Sequence, residues 1–519
     1  MIVASLLFTA CVSSESDEND SNSAGKGIGS VLSLDLDQST RVTTEADATN
    51  GVLTKWSDNE KINSYHKYNN KGVAQSLMTL PFTNQSGNVQ NGLFTYTNSG
   101  TTNDYRFNPG NMIYLFNNLN SDIASNYTVA ANTSTSVFTL TLKNLQNQTG
   151  TVAGLAAYDG MYGTLSAAAV NDAKTVGPAN THHLTSVLRF DLTNADFANN
   201  TVSNVNVWNA PSANNSAYTP VTTAKTMTAN AIIPSSGVFT LNADGTLASS
   251  PTLTGYSKWS PSSSITASSG TASVYLMTLP FQNVTGALLT FNAKCGSNYY
   301  EREMWIDGLS LTSGAVTTKK VSLTKVPQPY TSYPYYKWDA ATAANVAGNR
   351  AGTGVKTTIN GKNIFFATQS CKDCPTFDEI CMYVAAGTYW DRYKAWVDFQ
   401  GNLQHGGLWM KKKTYITGFA DGTAEKATMS ATAYAPGDWI SAKDIDRTQY
   451  FFLPAVGNVS VTATGTTSTI PTTGGMTFYW SNQLQFSGYA YRLSISPTNV
   501  NISSYPVGTV GWCIWPTNR

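Results

Sequence analysis

Segments in which apolar and polar residues alternate recur along the chain. Between residues 31 and 37, the leucines at 32, 34 and 36 are separated by Ser33 and Asp35. Because successive side chains of a strand point to opposite faces, this alternation predicts a half-buried strand. In residues 184–192, Leu188, Phe190 and Leu192 repeat the pattern and predict another strand. The chain is therefore predicted to be mainly β-structure.

One helix is indicated near the start of the last third of the chain. Thr376 is followed three residues later by Glu379, the spacing of a capping box. Ile380 and Val384 then lie four residues apart, on one face of a helix, and Gly387 can end it. This pattern predicts a short helix held between loops.

A six-residue run is repeated letter for letter. Leu-Met-Thr-Leu-Pro-Phe occupies residues 77–82 and again residues 276–281, and Lys-Trp-Ser precedes the two copies at residues 55–57 and 258–260. Repeated strand sequences whose offsets drift are typical of related domains with loops of different length. The repeat predicts two related β-domains in tandem, and the alternative is chance or convergent strand packing.

Charged residues are scarce and balanced. The 519 residues include 32 Lys or Arg and 31 Asp or Glu, which is 12% of the chain and leaves a net charge of +1. Ordinary soluble proteins carry about 25%, so Ser, Thr, Asn and Gly supply most of the polarity. Together with the abundant tyrosine, this composition favours a secreted β-protein. The near-zero charge gives no electrostatic basis for binding nucleic acid or an anionic membrane.

The first eleven residues are mostly apolar and end at Cys11. They resemble a lipoprotein signal peptide whose cysteine is acylated after cleavage, and the acidic stretch at 15–20 resembles the surface-export tether of Bacteroidales lipoproteins. This resemblance implies a signal peptide at 1–11, a lipid anchor on Cys11, a flexible tether at 12–30 and a place on the outer membrane surface. The alternative is a short buried helix that ends in a chance cysteine.

The segment after the tether carries a second resemblance. The predicted strand is followed by Arg41 and then by a Trp-x-x-Asn-Glu-x-Ile run at residues 56–62. This order is similar to the opening of the Bacteroidales fimbrillins, the subunits of type V pili. The resemblance covers residues 31–325 and implies two transthyretin-like β-sandwich domains, at 31–178 and 179–325.

The fimbrillin resemblance also implies a mechanism of assembly. A protease cuts after Arg41 and releases the first strand, with Leu32, Leu34 and Leu36, and the groove left behind accepts a strand from another pilin subunit. An unpaired strand edge is a template for another chain, which makes the mechanism physically sound. The alternative is an ordinary edge strand followed by an exposed arginine.

Four short runs near the C-terminus occur in an order known from another family. They are Cys-Pro-Thr at 374–376, Phe-Phe-Leu-Pro-Ala at 451–455, Tyr-Trp-Ser at 479–481 and Tyr-Ala-Tyr-Arg-Leu-Ser-Ile at 489–495. This order resembles the Fibrobacter succinogenes major paralogous domain. The resemblance implies an α+β, C-type-lectin-like module at 338–519, after a Pro/Tyr linker at 326–337. Stalk pilins end in the strand that they donate, so a chain that ends in a module is expected to accept a strand, donate none and cap the pilus.

No residue pattern points to catalysis. The chain has four histidines and lacks the GxSxG, HExxH, P-loop and dinucleotide-binding motifs. His182 and His183 point to opposite faces of a predicted strand and have no carboxylate at ligand spacing, so a structural role is expected. We expect no enzyme activity, no cofactor and no metal.

Tryptophan is concentrated in the proposed module, because eight of the twelve Trp residues follow residue 337. Aromatic faces stack on sugar rings, but Trp is also core material. Trp390, Trp396 and Trp409 lie in an irregular stretch and are the expected exposed candidates for ligand binding. Core positions are expected for Trp480, Trp512 and Trp515.

Five cysteines remain after Cys11, so at least one thiol is free or pairs between chains. A Cys-x-x-Cys pair opens the module and is also typical of redox pairs and of half zinc sites, but no second pair or nearby His follows it. A structural disulfide is favoured. Its candidate members are Cys371, Cys374, Cys381 and Cys513.

Two functions from different classes fit these features. The first is a cell-surface pilus tip subunit, an adhesin whose module binds a glycan or protein on a host or bacterial surface. The second is a monomeric surface lipoprotein that binds glycans for uptake. Trimming at Arg41 and incorporation into a polymer would separate them.

Overall fold

The computed structural model describes stretches of the chain between residues 30 and 516. The described residues are 30–33, 43–45, 53–55, 61–68, 76–84, 93–96, 113–117, 125–132, 137–165, 170–171, 175–176, 180–210, 225–226, 234–248, 251–255, 258–280, 287–306, 309–346, 350–359, 361–419, 434–439, 445–457, 459–461, 467–468 and 475–516. Cys11, Leu34, Leu36 and Arg41 lie outside them.

The first part of the described chain is built from short strands. These are β1 (Ser30–Ser33), β2 (Thr43–Glu45), β3 (Leu53–Lys55), β4 (Lys61–Tyr68), β5 (Ser76–Asn84), β6 (Leu93–Tyr96), β7 (Ile113–Phe116), β8 (Tyr127–Asn132), β9 (Val137–Leu142), β10 (Met161–Leu165), β11 (Val170–Asn171), β12 (Thr175–Val176) and β13 (Asn180–His183). Most of them form one sheet, in the order β11-β12-β1-β6-β5-β4-β7-β10-β13. Short 3-10 helices follow β9, at Leu145–Asn147, Val152–Gly154 and Ala156–Tyr158.

The next part continues as strands up to residue 325. These are β14 (Ser186–Thr193), β15 (Thr201–Ala210), β16 (Lys225–Thr226), β17 (Pro234–Leu241), β18 (Thr252–Gly255), β19 (Lys258–Trp259), β20 (Ile265–Thr266), β21 (Thr271–Thr278), β22 (Ala287–Cys295), β23 (Asn298–Ile306), β24 (Val316–Ser322) and β25 (Thr324–Lys325). They supply a three-stranded sheet, β21-β14-β24, and a six-stranded sheet that includes β19-β15-β22-β23-β25. A 3-10 helix at Ala195–Phe197 joins β14 to β15. The strand predicted at residues 184–192 corresponds to β14.

One sheet joins strands from both sides of the boundary predicted at residue 178. Its order is β16-β18-β17-β9-β8, and β17 pairs with β9 from Gly237 opposite Leu142 to Leu241 opposite Phe138. One continuous hydrophobic core also includes side chains from both regions. The division into sandwiches at 31–178 and 179–325 stays a prediction, and the two regions share a sheet and a core.

The C-terminal region combines two sheets with one helix. Its elements are β26 (Tyr335–Tyr336), β27 (Val355–Ile359), β28 (Lys362–Phe366), α1 (Phe377–Ala385), β29 (Thr388–Val397), β30 (Leu403–Lys411), β31 (Gly437–Asp438), β32 (Tyr450–Pro454), β33 (Val459–Val461), β34 (Thr467–Ser468), β35 (Thr477–Phe486), β36 (Tyr489–Ile495), β37 (Val500–Pro506) and β38 (Val510–Cys513), with 3-10 helices at Lys413–Tyr415 and Arg447–Gln449. One sheet has the order β31-β29-β30-β32; the other contains β27-β28-β35-β38-β33-β34, with β26 on β38 and β36 between β35 and β37. A second hydrophobic core holds this region together.

The predicted helix and the predicted fold class are confirmed. Thr376 Oγ1 accepts a hydrogen bond from Glu379 N at 3.1 Å, and Glu379 Oε2 accepts one from Thr376 N at 2.6 Å. This capping box starts α1, which buries Ile380 and Val384. The described chain is mainly β, while its assignment to transthyretin-like and C-type-lectin-like folds stays a prediction.

The segment predicted as a linker packs against the C-terminal region. Tyr330 and Tyr335 are buried in its core, and Tyr330 Oη donates a hydrogen bond to Ile514 O at 2.8 Å. β26 pairs with β38, which fixes the backbone here. This segment is therefore part of the module's packing and does not act as a free spacer.

The two copies of the repeated six-residue run occupy different settings. The first lies in β5, between β4 and β6 of the nine-stranded sheet. The second begins in β21, at the edge of the three-stranded sheet beside β14. An identical run does not impose identical pairing, because the neighbours of a strand come from distant parts of the chain.

Candidate functional site

The first strand has a neighbour on each side. β1 pairs antiparallel with β6, where Leu32 is opposite Phe94, and parallel with β12, where Leu32 is opposite Val176. An edge strand has a neighbour on one side only, so β1 is not an edge strand. The rest of the predicted released strand, with Leu34 and Leu36, lies outside the described residues, as does the predicted cleavage site at Arg41.

Within the described sheet, β12 is connected to β6 only through β1. β11 and β12 pair with each other, and the sheet continues from β12 to β1 and then to β6. Removal of β1 would therefore expose one edge of β6 and one edge of β12. Exposed strand edges are what an added strand pairs with. A replacement strand would have a partner on both sides.

A second candidate site lies where the C-terminal module contacts the six-stranded sheet. We call this contact the junction; β22 and β23 lie on one side of it, and β29 and β30 on the other. Leu288 packs against Tyr393, with Trp208 partly buried beside them. His405 Nε2 lies 2.9 Å from Asn292 Oδ1. The module thus covers one face of a sheet that would otherwise be exposed to solvent.

Two ion pairs cross the junction. Glu301 Oε1 binds Lys394 Nζ, and Glu301 Oε2 accepts a hydrogen bond from Ala395 N at 3.0 Å. Glu303 Oε2 accepts a hydrogen bond from Arg447 Nη1 at 3.0 Å. The side chains of Glu301 and Lys394 are only 6% and 21% exposed. Charges withdrawn from water are costly unless they are paired, so each partner depends on the other and the pairs tie the module to the sheet.

Burial at the junction also shifts the protonation of the two glutamates. Desolvation and the nearby charge of Asp391 raise the pKa of Glu303 to about 8, although Arg447 opposes the shift. Desolvation likewise raises the pKa of Glu301, against the opposing effect of Lys394. The junction therefore favours the protonated form of Glu303 more than water does, and the charge of Arg447 opposes this effect.

Replacing Glu303 with Gln is expected to remove part of the pH dependence of stability. The pKa of Glu303 is raised from 4.5 to about 8 on folding. The stabilisation from its tightly held proton is therefore complete below pH 4.5 and is lost as the pH rises toward about 8. Glu303→Gln cannot ionise, so its urea midpoint should fall less than that of the wild type across this range. Glu379→Gln, in the capping box, is the control; equal pH profiles for Glu303→Gln and wild type would contradict the raised pKa.

The glutamates of the junction were not predicted from the sequence. Tyr299, Glu301, Glu303 and Trp305 alternate along β23, and that face of the strand contacts the module. Alternating polar residues on a strand usually indicate a face exposed to solvent. One feature of the sequence does indicate an unusual face: two acidic residues lie two positions apart in a strand rich in aromatic residues. Such a pair is unexpected in a chain that has only 12% charged residues.

The predicted exposure of Trp390 and Trp396 is wrong. Their exposed fractions are 4% and 0%, and Trp396 Nε1 donates a hydrogen bond to Gly406 O at 3.1 Å. The reason is that β29 is covered on both faces. Ala395 and Val397 pack against Val326 at the junction, whereas Trp396 packs into the core of the module.

Trp409 is half-buried and remains a candidate for ligand binding. Its ring stacks on Trp439, with ring centres 4.5 Å apart and an angle of 12° between the planes. Its Nε1 donates a hydrogen bond to Asp391 Oδ2 at 3.0 Å. One ring face and the only donor are therefore already used. The core positions expected for three other tryptophans are confirmed, since each is at most 5% exposed: Trp480, Trp512 and Trp515.

The cysteines predicted to form a disulfide are buried thiols in this structure. Burial raises the pKa of Cys371 and Cys513, and it raises that of Cys381 to about 12. Because the thiolate is the reactive form, buried thiols of high pKa are poor nucleophiles. All four lie in the core of the module, and their pairing stays a prediction: Cys371, Cys374, Cys381 and Cys513.

His183 has a carboxylate partner that is distant in sequence. Its Nδ1 lies 2.6 Å from Asp159 Oδ1, which also accepts a hydrogen bond from Thr185 Oγ1 at 2.8 Å. His183 and Asp159 are both buried. Local spacing around His183 does not reveal Asp159, because β10, β11 and β12 separate the two residues in the sequence. Burial among these partners fits the structural role expected for His183.

In the described part of the chain, no group of three or more His, Cys, Asp or Glu side chains is arranged to hold a metal ion. The expectation that the protein needs no metal stays a prediction. None of the helices among these residues has the length and apolar character needed to span a membrane.

Comparison with known proteins shows distant structural likenesses. No family model and no curated protein matches the chain. A candidate cell adhesion protein from Bacteroides ovatus is 14% identical, covering 57% of this chain and 95% of that one, with a TM-score of 0.34. A fimbrial protein from Bacteroides ovatus is 10% identical over 94% and 98% of the two chains, with a TM-score of 0.25. The fimbrial anchor protein Mfa2 from Porphyromonas gingivalis is 10% identical over 51% and 78%, with a TM-score of 0.20. The structural neighbours thus include adhesion and fimbrial proteins, at similarities too low to assign a family.

Proposed function

We propose that the chain is a cell-surface pilus tip subunit that presents a C-terminal adhesin module. The position of β1, paired with β6 on one side and β12 on the other, supports this most directly. Cleavage after Arg41 would release β1 and leave a groove with two unpaired edges. A strand from the next pilin subunit would fill the groove and restore both sets of backbone hydrogen bonds.

The segment that follows the six-stranded sheet supports a place at the tip. A subunit in the stalk needs a C-terminal strand to donate. Here the chain continues from β25 into the module, where Val326 packs against Ala395, and Val397 N donates a hydrogen bond to Pro327 O at 2.9 Å. A segment held in this way is not available for donation. The subunit would then accept a strand without donating the segment after β25, as expected of a subunit at the end of the polymer.

The junction suits a subunit that must carry load between a polymer and a surface. Buried ion pairs and apolar contacts hold the module against the six-stranded sheet. The module would then present its ligand-binding surface in one orientation to a glycan or protein on a host or bacterial surface. Before assembly, a lipid on Cys11 would anchor the precursor to the outer membrane. No catalytic step is part of this proposal.

Mass spectrometry of the protein's N-terminus tests the proposal. The protein is recovered from sheared surface fibres and, separately, from the cell-bound fraction. We expect the fibre-associated protein to begin at Val42, with residues 1–41 removed. The cell-bound fraction should contain precursor acylated on Cys11.

The alternative function gives the opposite result. A monomeric lipoprotein that binds glycans for uptake would keep residues 12–41 behind its acylated Cys11 and would be absent from the fibres. That outcome would overturn the assignment as a pilus subunit. Recovery of intact precursor within the fibres would support assembly into a polymer but would contradict release of β1.

A further inference from the structure

Arg492 is a half-buried cation among aromatic rings. It lies in β36, and its guanidinium carbon is 4.4 Å from the ring centres of Phe478 and Trp512 and 4.8 Å from that of Tyr505. Its Nε donates a hydrogen bond to Ser503 Oγ at 2.9 Å. A guanidinium has five N–H donors, one on Nε and four on Nη1 and Nη2. Among the described residues, the four on Nη1 and Nη2 have no hydrogen-bond acceptor.

Two other half-buried arginines among the described residues have carboxylate partners. Arg189 binds Asp191, and Arg447 binds Glu303. Across the described residues, Arg492 has no such partner, and burial lowers the pKa of its guanidinium. Cation–π contacts offset part of the cost of withdrawing this charge from water. An anion at the free edge of the guanidinium would offset the rest.

The side chain of Arg492 and helix α1 lie on opposite faces of β36. Tyr491 stacks on Phe377 of α1, with ring centres 4.2 Å apart. Successive side chains of a strand point to opposite faces, so Arg492 lies on the face of β36 that α1 does not cover. Phe478 and Tyr505 beside it are only partly buried. Parts of both rings therefore remain accessible next to the cation.

The nearby end of the same hairpin also exposes aromatic side chains. Phe486 and Tyr489 are 51% and 37% exposed, and their ring centres lie 4.5 Å apart. They sit where β35 turns into β36, and Tyr489 lies three residues before Arg492, so the pair is on the opposite face of the strand. The site is therefore limited to the rings that contact Arg492, and the partly buried rings of Phe478 and Tyr505 beside this cation suit a ligand that has both an apolar ring face and a negative charge.

We propose that Arg492, with the partly exposed rings of Phe478 and Tyr505, binds a carboxylate-bearing sugar. The guanidinium fork matches the two oxygens of a carboxylate, and the sugar ring would lie on the aromatic surface. One guanidinium balances one negative charge, which favours a monovalent carboxylate over a divalent phosphate. The inference deepens the proposed function, on which it rests, by naming the ligand class of the adhesin module.

Calorimetric titration of the purified full-length chain tests this site. Trigalacturonic acid is compared with its methyl ester, which has the same rings but no charge. 3′-Sialyllactose is compared with lactose, so that the two pairs distinguish a uronic acid from a sialic acid as the source of the carboxylate. We expect at least one acidic probe to bind about tenfold or more tightly than its neutral counterpart.

Two variants separate the guanidinium from the rest of the site. Arg492→Met keeps an apolar stem over the rings and should weaken binding of the acidic probe about tenfold or more. Arg492→Lys keeps the charge without the fork and should retain an intermediate affinity. Arg189→Met, in the three-stranded sheet, is the matched control and should bind like the wild type. An unchanged near-ultraviolet circular dichroism spectrum would show that each variant is folded.

Several outcomes would overturn the proposal. These are the absence of binding by both acidic probes, equal binding of acid and neutral counterpart, and wild-type affinity of a folded Arg492→Met. Titration of the isolated chain does not depend on polymer assembly. Failure of this test therefore leaves the pilus assignment standing, and absence of the protein from fibres leaves the sugar site standing.

Discussion

A variant in which a disulfide links β1 to β6 is expected to be absent from surface fibres until the disulfide is reduced. Val31 is opposite Thr95, and Leu32 is opposite Phe94, in the antiparallel pair of β1 and β6. Directly opposite residues alternate between hydrogen-bonded and non-hydrogen-bonded pairs. Both kinds of pair have Cα separations within the range of a disulfide, so the double-cysteine variants Val31→Cys/Thr95→Cys and Leu32→Cys/Phe94→Cys are both made, and the one that cross-links is used.

The effect should be close to complete, because a tethered strand still fills the groove after cleavage at Arg41. Incorporation is measured by immunoblotting of sheared fibres before and after treatment of the cells with a membrane-impermeant reductant. The four single-cysteine variants are the controls and should enter fibres like the wild type. Normal incorporation of a chain shown to be cross-linked would contradict strand release.

Replacing Lys394 with Met is expected to cost about 3–5 kcal/mol of stability, the loss typical of a buried ion pair that keeps only one partner. Glu301 would remain buried at the junction with Ala395 N as its hydrogen-bond donor but without a cation. Urea unfolding, followed by tryptophan fluorescence, measures the loss. Limited proteolysis should in addition cut the variant faster between the six-stranded sheet and the module.

The double variant Glu301→Gln/Lys394→Met is the matched control. It removes both charges and keeps an acceptor for Ala395 N, so most of the lost stability should return. The stability change of the double variant is compared with the summed stability changes of Glu301→Gln and Lys394→Met. The difference is the coupling free energy of the pair. Wild-type stability of Lys394→Met would show that the pair contributes nothing to the junction.

The junction and the Arg492 site lie on different sheets of the module. β29 and β30 contact the six-stranded sheet, whereas Arg492 lies in β36 of the other sheet. Contact with the rest of the subunit therefore does not use the surface proposed for the ligand. A module arranged in this way can be held firmly and bind a ligand at the same time.

Local sequence chemistry determined the elements whose causes lie within a few residues. The capping box of Thr376 and Glu379 and the spacing of Ile380 and Val384 predicted α1, which the structure shows at Phe377–Ala385. Alternation in residues 184–192 predicted β14. The strand content and scarcity of charge predicted a mainly β protein. These features depend on neighbouring side chains and backbone groups, which the sequence displays directly.

Only the tertiary structure decided which faces are covered. Alternation along β23 shows that Glu301 and Glu303 share a face, but that face is buried because the module packs on it. Trp396 looked available for a ligand, but it is buried because β29 has a neighbour on each face. Arg492 is a candidate for ligand binding because the fold places Phe478, Trp512 and Tyr505 around its guanidinium. Periodicity along a strand reports which side chains point the same way, whereas the partner they meet comes from a distant part of the chain.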